Sequence, residues 1–324
     1  MTPRDGPRDN DLPSRTTIGF TVDNDYFTGS DNNYSNGFAF SALSGPVVDA
    51  EPGSLTKAWG EAFAFLPGVD PFEGESFVGV SFGQEIFTPD DISDPNPPLD
   101  DQPYAGILFL DFSFAGRGES QCASWVLRVG LVGPWSQADE VQTWFHDITD
   151  NDEPLGWDTQ LPNEPILNLD YNLVWEFNPI RRDGLDLRLV PMAGASVGTY
   201  FTGASAAAYA EFGYNLPDNV GAVTLRQGVD PVGLISATRN DRLSVSLLAG
   251  AGGFAVAHFL PLDGTVFRES RSVDSEPLVG FLTTGASVRY DAFSLSYMLS
   301  FFTERFETER DNDDFGRVTL SWSF

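Results

Sequence analysis

Gln142 and His146 lie four residues apart in the stretch Gly133-Pro134-Trp135-Ser136-Gln137-Ala138-Asp139-Glu140-Val141-Gln142-Thr143-Trp144-Phe145-His146. From Ser136 onward the pattern predicts a short loop helix. Ser136 or Asp139 would cap it, and Val141, Trp144 and Phe145 would form its apolar stripe. On such a helix Gln142 and His146 project from one face, one above the other. A histidine beside a polar neighbour in an acidic loop suits general-base work near neutral pH. Spacing alone also reads as a surface or capping histidine. A second group sits near the start of the chain, in Asp23-Asn24-Asp25-Tyr26-Phe27 and Tyr34-Ser35-Asn36-Gly37. Asp23 breaks a strand-like alternation, which puts Asn24 and Asp25 at a strand end. A hairpin return through Tyr34 then brings Asp25 and Ser35 together at one rim. Asn, Asp, Gly and Ser are also ordinary turn residues. Glycine-rich phosphate loops, zinc spacings and a nucleophile elbow are absent.

The elements that must carry these residues have a period of two. Val318, Leu320, Trp322 and Phe324 share one face of a segment, and Arg317, Thr319, Ser321 and Ser323 share the other. Phe293, Leu295, Tyr297, Leu299 and Phe301 repeat the arrangement against serines. Similar alternation runs through Phe38 to Ala42, Val78 to Ile86, Tyr104 to Phe114, Trp125 to Leu131, Leu167 to Phe177, Leu185 to Leu189, Ala206 to Tyr214, Leu243 to Ala249 and Val279 to Tyr290. Such segments, separated by Gly, Asn, Asp and Pro, suit tilted transmembrane strands. A soluble all-β domain alternates too, with its apolar face inward. Here Asn168, Asp170, Asn172 and Glu176 oppose Leu167, Leu169, Tyr171 and Trp175, as expected of a wet lumen and a lipid-facing wall. The expected fold is all-β: a transmembrane antiparallel β-barrel of about twelve strands, with long rim loops. Phe324 at the apolar end of a closing strand agrees with an outer-membrane barrel. One barrel domain over 16–324 is expected, after a flexible tail over 1–15.

Composition excludes several classes of function. Acids number 47 against 18 bases, for a net charge of −29. That rules out a nucleic-acid grip, which needs basic surface. One cysteine, Cys122, rules out a disulfide framework and multi-cysteine metal sites. No run of 18 apolar residues would form a membrane helix. Residues 1–15 hold no apolar signal core, so either a signal peptide lies outside this sequence or the chain is cytosolic. The acids cluster in 85–101 and 137–164, which hold no base. They read as rim loops whose carboxylates either solvate the surface or bind divalent cations. A salt-adapted source would give the same bias.

Several ordered motifs resemble the lipid A 3'-O-deacylase family (LpxR type). They are Asn24-Asp25-Tyr26-Phe27 with Asp31 and Tyr34-Ser35-Asn36-Gly37; Thr88-Pro89-Asp90-Asp91 with Asp101-Gln102-Pro103-Tyr104-Ala105-Gly106; Gly133-Pro134, Val141-Gln142, His146, Gly156-Trp157, Gln160 and Asn163-Glu164; and Phe315-Gly316 with Trp322-Ser323-Phe324. The matches run from about residue 18 to 324. The resemblance implies a twelve-stranded barrel in the bacterial outer membrane, acting as a monomer on lipid A or lipopolysaccharide. Its implied activity is calcium-assisted hydrolysis of the 3'-linked acyl or acyloxyacyl ester. It casts His146 as the base that activates water, with Asn24, Asp25, Ser35 and Gln142 completing the site and Asp25 on the calcium side. Ser35 stands where the family enzyme has threonine. The family enzyme also uses a lysine in the loop after Thr88-Pro89, where this sequence has none. An arginine or the metal then takes over its charge role, or the substrate differs. Two other readings are a barrel of this family that binds or passes a small solute, and an esterase acting on another lipid.

Overall fold

The computed structural model describes residues 16–25, 33–68, 75–118, 120–149, 151–182, 184–217, 240–310 and 314–324. Among the described residues thirteen strands run in chain order: β1 Thr16–Asn24, β2 Asn33–Ser44, β3 Glu75–Thr88, β4 Ala105–Arg117, β5 Gln121–Val132, β6 Glu164–Trp175, β7 Phe177–Arg182, β8 Leu185–Gly198, β9 Phe201–Tyr214, β10 Asn240–Phe259, β11 Leu278–Asp291, β12 Phe293–Phe302 and β13 Phe315–Ser323. Every consecutive pair but β6 and β7 is antiparallel and hydrogen-bonded. β1 closes on β13, and β6 pairs directly with β8 from Asn168–Gly198 to Val174–Met192. β7 pairs with the far end of β8 and continues the stave that β6 begins. The result is a closed antiparallel β-barrel of twelve staves.

The alternation expected from the sequence sets the two faces. Leu320, Trp322, Phe293, Leu295 and Tyr297 stand exposed on the outside. Thr17, Asp23, Glu85, Asp111, Arg128, Asn168, Arg317 and Ser321 point inward and are buried. Buried charge survives there because it is paired and hydrogen-bonded. Arg128 bonds Asp111 at 2.9 and 3.0 Å and Glu85 at 2.9 Å, and lies over the Phe109 ring. Tyr200 donates to Glu85 at 2.7 Å. Arg317 grips Asp23 at 2.7 and 2.6 Å.

Two expectations change. The lumen is not lined by polar residues alone: Phe87, Phe254, Phe281, Phe302 and Phe315 turn inward near the end where the long loops gather. They stack against each other and against Tyr34 and Phe259. Burying rings against rings there replaces water with apolar contact. The wall residues are also not all open to lipid. α1 (Leu55–Phe63) and α2 (Ala138–Thr149) each cover part of the outer face.

Long connections after β3, β5, β10 and β12 share the end of the barrel that also holds the β1–β2 turn. They are tied together. Arg271 donates to the carbonyls of Pro97 and Pro98 and to Thr159 Oγ1, and Glu164 accepts the N–H groups of Val266 and Phe267 at 2.7 and 2.8 Å. Long loops mark the outer side of bacterial barrels and short turns the periplasmic side.

Candidate active site

Strand parity locates the site on the outside of the wall. In β3, Phe82, Gln84, Ile86 and Thr88 share one face, and Phe82 is 47% exposed. The other three belong to the same lipid-facing side, yet they are buried. What covers them is the segment predicted as a loop helix. A 3-10 turn, Pro134–Ser136, leads through Gln137 in left-handed conformation (φ 57°) into α2. Gln84 Nε2 donates to the carbonyl of Ser136 at 2.7 Å, and Ile86 packs with Tyr104, Ala138 and Trp157. Gly106 of β4 permits this approach: a Cβ there would lie 2.2 Å from Ala138 Cβ.

α2 turns its polar side to the barrel. Ala138, Gln142 and His146 are buried, one turn apart, while Trp144 and Ile148 are exposed. The expected stripe of Val141, Trp144 and Phe145 is therefore not the packed face. Only Val141 joins the buried cluster, as a flanking residue. Ser136 serves the helix start through its Oγ, 3.4 Å from the Ala138 N–H.

The helix fixes both polar side chains. His146 Nδ1 lies 2.6 Å from the backbone oxygen of Asp152. A carbonyl only accepts, so Nδ1 carries the hydrogen and Nε2 of the neutral ring carries the lone pair. Trp157 donates its indole N–H to Gln142 Oε1 at 2.8 Å. The amide group of Gln142 then points the other way, and its buried Nε2 has no hydrogen-bond partner among the described residues.

The N-terminal group joins the same corner. Asn24 follows Ile18, Phe20 and Val22 in parity, so it too belongs to the outer face. Asn24 pairs with Asn36 in register, and Asn24 Nδ2 donates to the Ser35 carbonyl at 2.7 Å. β2 shifts register against β3 between Tyr34 and Asn36. Ser35 is the extra residue of this bulge, a device that re-aims a side chain. Its Oγ meets Thr88 Oγ1 at 2.5 Å. Asp25 follows Asn24 and is buried. Asp31, part of the first sequence motif, lies outside the described residues.

The two groups are thus each tied to the outer end of β3. Thr88 holds Ser35, while Ile86, on the same face, packs with the tryptophan that holds Gln142. Behind them Gln102 donates to the Thr88 carbonyl at 3.1 Å and accepts from Arg305 at 3.1 Å. Arg305 is itself paired with Glu309. Asp101 accepts the N–H groups of Asp90 and Gln102, and burial raises its carboxyl above the ordinary aspartate value. Sequence reasoning gave no role to Thr88, Trp157 or Gly106. Their motifs were visible, but the contacts that employ them join separate segments of the chain.

A sequence model of the outer membrane protein LpxR family matches residues 8–324. The chain belongs to the LpxR family. Among solved structures, LpxR from Salmonella typhimurium superposes with a TM-score of 0.73 at 18% identity, over 95% of this chain and 100% of that one. The β-domain of the Bordetella autotransporter BrkA gives 0.43 at 9% identity, over 97% and 100%. The translocator domain of NalP from Neisseria meningitidis gives 0.40 at 8%, over 99% and 91%. No curated protein sequence matches. The LpxR likeness covers the whole barrel, and family membership points to the bacterial outer membrane.

Calcium can be weighed against the donors present. Among the described residues no group of three or more His, Cys, Asp or Glu side chains could hold a metal. Asp25 brings a buried carboxylate next to Asn24 in the chain, and both side chains carry oxygens of the kind a hard cation takes. One carboxylate with neutral oxygens and water fits calcium, whose shell tolerates both.

Proposed function

We propose that this chain is a lipid A deacylase of the outer leaflet, hydrolysing the 3'-linked acyl or acyloxyacyl ester with His146 as general base. The observation that carries this reading is that Gln142 and His146, on the buried side of α2, face the outer side of the barrel wall and not the lumen. A substrate whose acyl chains lie in the membrane reaches that side without leaving it.

The chemistry follows from the fixed side chains. The Asp152 carbonyl holds the His146 Nδ1–H, so Nε2 accepts the proton of an attacking water. As water adds to the ester carbonyl, negative charge grows on its oxygen. The Gln142 amide, oriented by Trp157, offers an N–H one helical turn from the base to meet that charge. Asn24, held by the Ser35 carbonyl, and Ser35, held by Thr88, form the opposite wall. His146 then returns its proton to the departing sugar oxygen. Calcium, when bound at Asp25, would supply positive charge where the sequence has no lysine.

The lumen argues against solute passage as the main role. The Arg128–Glu85–Asp111 layer and the phenylalanine layer both cross it. Mass spectrometry of lipid A from cells with and without the protein tests the proposal. Loss of the 3'-linked group only when the protein is present is expected. Unchanged lipid A, with another lipid ester cleaved, would replace the substrate. No cleavage of any lipid would sink the enzyme reading.

A further inference from the structure

α1 has no part in the site described above, and its surface is unusual for a connection at the periplasmic end. It lies in the β2–β3 connection and packs on the outside of the wall. Trp59 meets Phe112 at 5.3 Å and Phe63 meets Phe114 at 6.3 Å, both outward residues of β4. Trp125 of β5 donates to the Pro67 carbonyl at 3.1 Å. Gly60 is pressed on Val47, with no space for a Cβ. Ser54 caps the first turn through the Lys57 N–H at 3.2 Å. The wall contact does not use up the apolar side of the helix. Leu55, Ala58 and Ala62, spaced three and four apart, form an exposed apolar stripe, and Phe65 follows just beyond the last turn. Leu55 is 87% exposed and Phe65 78%.

The depth of this helix follows from β3. Ser76 and Val78 of its outer face are buried on the α1 side, Gln84 to Thr88 are buried under α2, and only Val80 and Phe82 between them stay uncovered. Val78 and Gln84 are six residues apart, roughly 20 Å along a strand and about 15 Å along the membrane normal at a tilt near 40°. The apolar band of such a barrel is about 25 Å tall. On β11 the outward residues from Leu278 to Tyr290 are exposed, apart from the half-buried Gly280. The gap between the two helices is thus shorter than the band, and the helices must reach into it.

We propose that α1 is an in-plane anchor in the inner leaflet of the outer membrane, with Leu55 and Phe65 among phospholipid acyl chains. An amphipathic helix lying at the interface has this form. The stripe is continuous with the lipid-facing wall it packs on, which favours lipid over a periplasmic protein. The chain's one lysine, Lys57, donates from Nζ to the Val47 carbonyl at 3.4 Å and takes no part in the stripe.

The test places nitroxide labels at Leu55→Cys and Phe65→Cys in the full chain carrying Cys122→Ala, refolded into phosphatidylethanolamine–phosphatidylglycerol vesicles. Cys122 is buried and can stay in place if the alanine variant does not fold. Power saturation compares collision with oxygen, which partitions into lipid, and with a nickel chelate, which does not. Leu247→Cys on the bare wall and Glu269→Cys in the outer loops give the two limits. Oxygen-dominated values at Leu55 and Phe65, matching Leu247 and several-fold above Glu269, are expected. Nickel-dominated values like those of Glu269 would overturn the proposal and leave the stripe as a docking face for protein.

Discussion

Trp157 donates its indole N–H to Gln142 Oε1 at 2.8 Å, and this bond decides which way the amide faces. Gln142→Leu removes the outward N–H and should lower kcat about 10²–10³-fold, the loss typical of one oxyanion donor. Trp157→Phe keeps the ring but frees the amide to flip. Its cost should be smaller, about tenfold, as for one ordinary hydrogen bond. Full activity in Gln142→Leu, with the barrel still shifting its mobility on heating in detergent gels, would remove Gln142 from the mechanism.

His146→Ala and His146→Asn should abolish deacylation, a loss of roughly 10²–10⁴-fold or more for a missing general base. The histidine lies on the wall-facing side of α2, outside the lumen network, so folding should survive. Lipid A mass spectra of the variants read the activity directly. Retained activity would turn attention to His258, the other histidine, which reaches the Thr199 carbonyl at 3.2 Å in a different part of the rim.

The Ser35–Thr88 contact offers a graded test. Ser35→Thr keeps the hydroxyl and should stay active. Ser35→Ala leaves the Thr88 hydroxyl buried without its partner, at a cost of about 1–3 kcal/mol. Urea titration should show that loss together with reduced turnover. If Ser35→Ala and Ser35→Thr behave alike, the hydroxyl has no role.

The lumen should separate stability from activity. Arg128→Met strips two buried carboxylates, Glu85 and Asp111, of their cation. Breaking such a pair typically costs about 3–5 kcal/mol. The barrel should melt at lower urea, while the folded fraction keeps its turnover, because the proposed chemistry lies on the other side of the wall. A folded variant with no activity would contradict that separation.

Much of the fold was legible because a barrel wall repeats with period two. In β12 the alternate residues from Phe293 to Phe301, and in β13 those from Val318 to Trp322, face as the sequence reading expects. The helix over Gln142 and His146 was legible from spacing. Which of its faces packs was not, since Trp144 looks like core until the wall beneath α2 is seen to bind through Gln84, Gly106 and Ile86. The inward phenylalanines of β10 to β12 were also hidden. An alternating strand reads the same whether its phenylalanine meets lipid or another ring across the lumen. Thr88 and Trp157 gain their roles only from pairing across segments 53 and 15 residues apart.

Calcium dependence tests the least complete part of the site. The loops over 85–101 and 137–164 contain neither lysine nor arginine, so charge on the oxyanion must come from elsewhere. Chelation should stop deacylation, and added calcium should restore it. Asp25→Asn keeps the side-chain shape but removes the charge that holds a hard cation, so it should act like chelation. Terbium luminescence, read without substrate, should show weaker ion binding in the variant. If calcium rescues Asp25→Asn fully and terbium binds as before, Asp25 is not the ligand, and Asp31 or Asp90 becomes the next carboxylate to remove. Hydrolysis that ignores chelation would pass the role to an arginine. Arg305, joined to Thr88 through Gln102, is then the side chain to replace first, although Glu309 already offsets its charge.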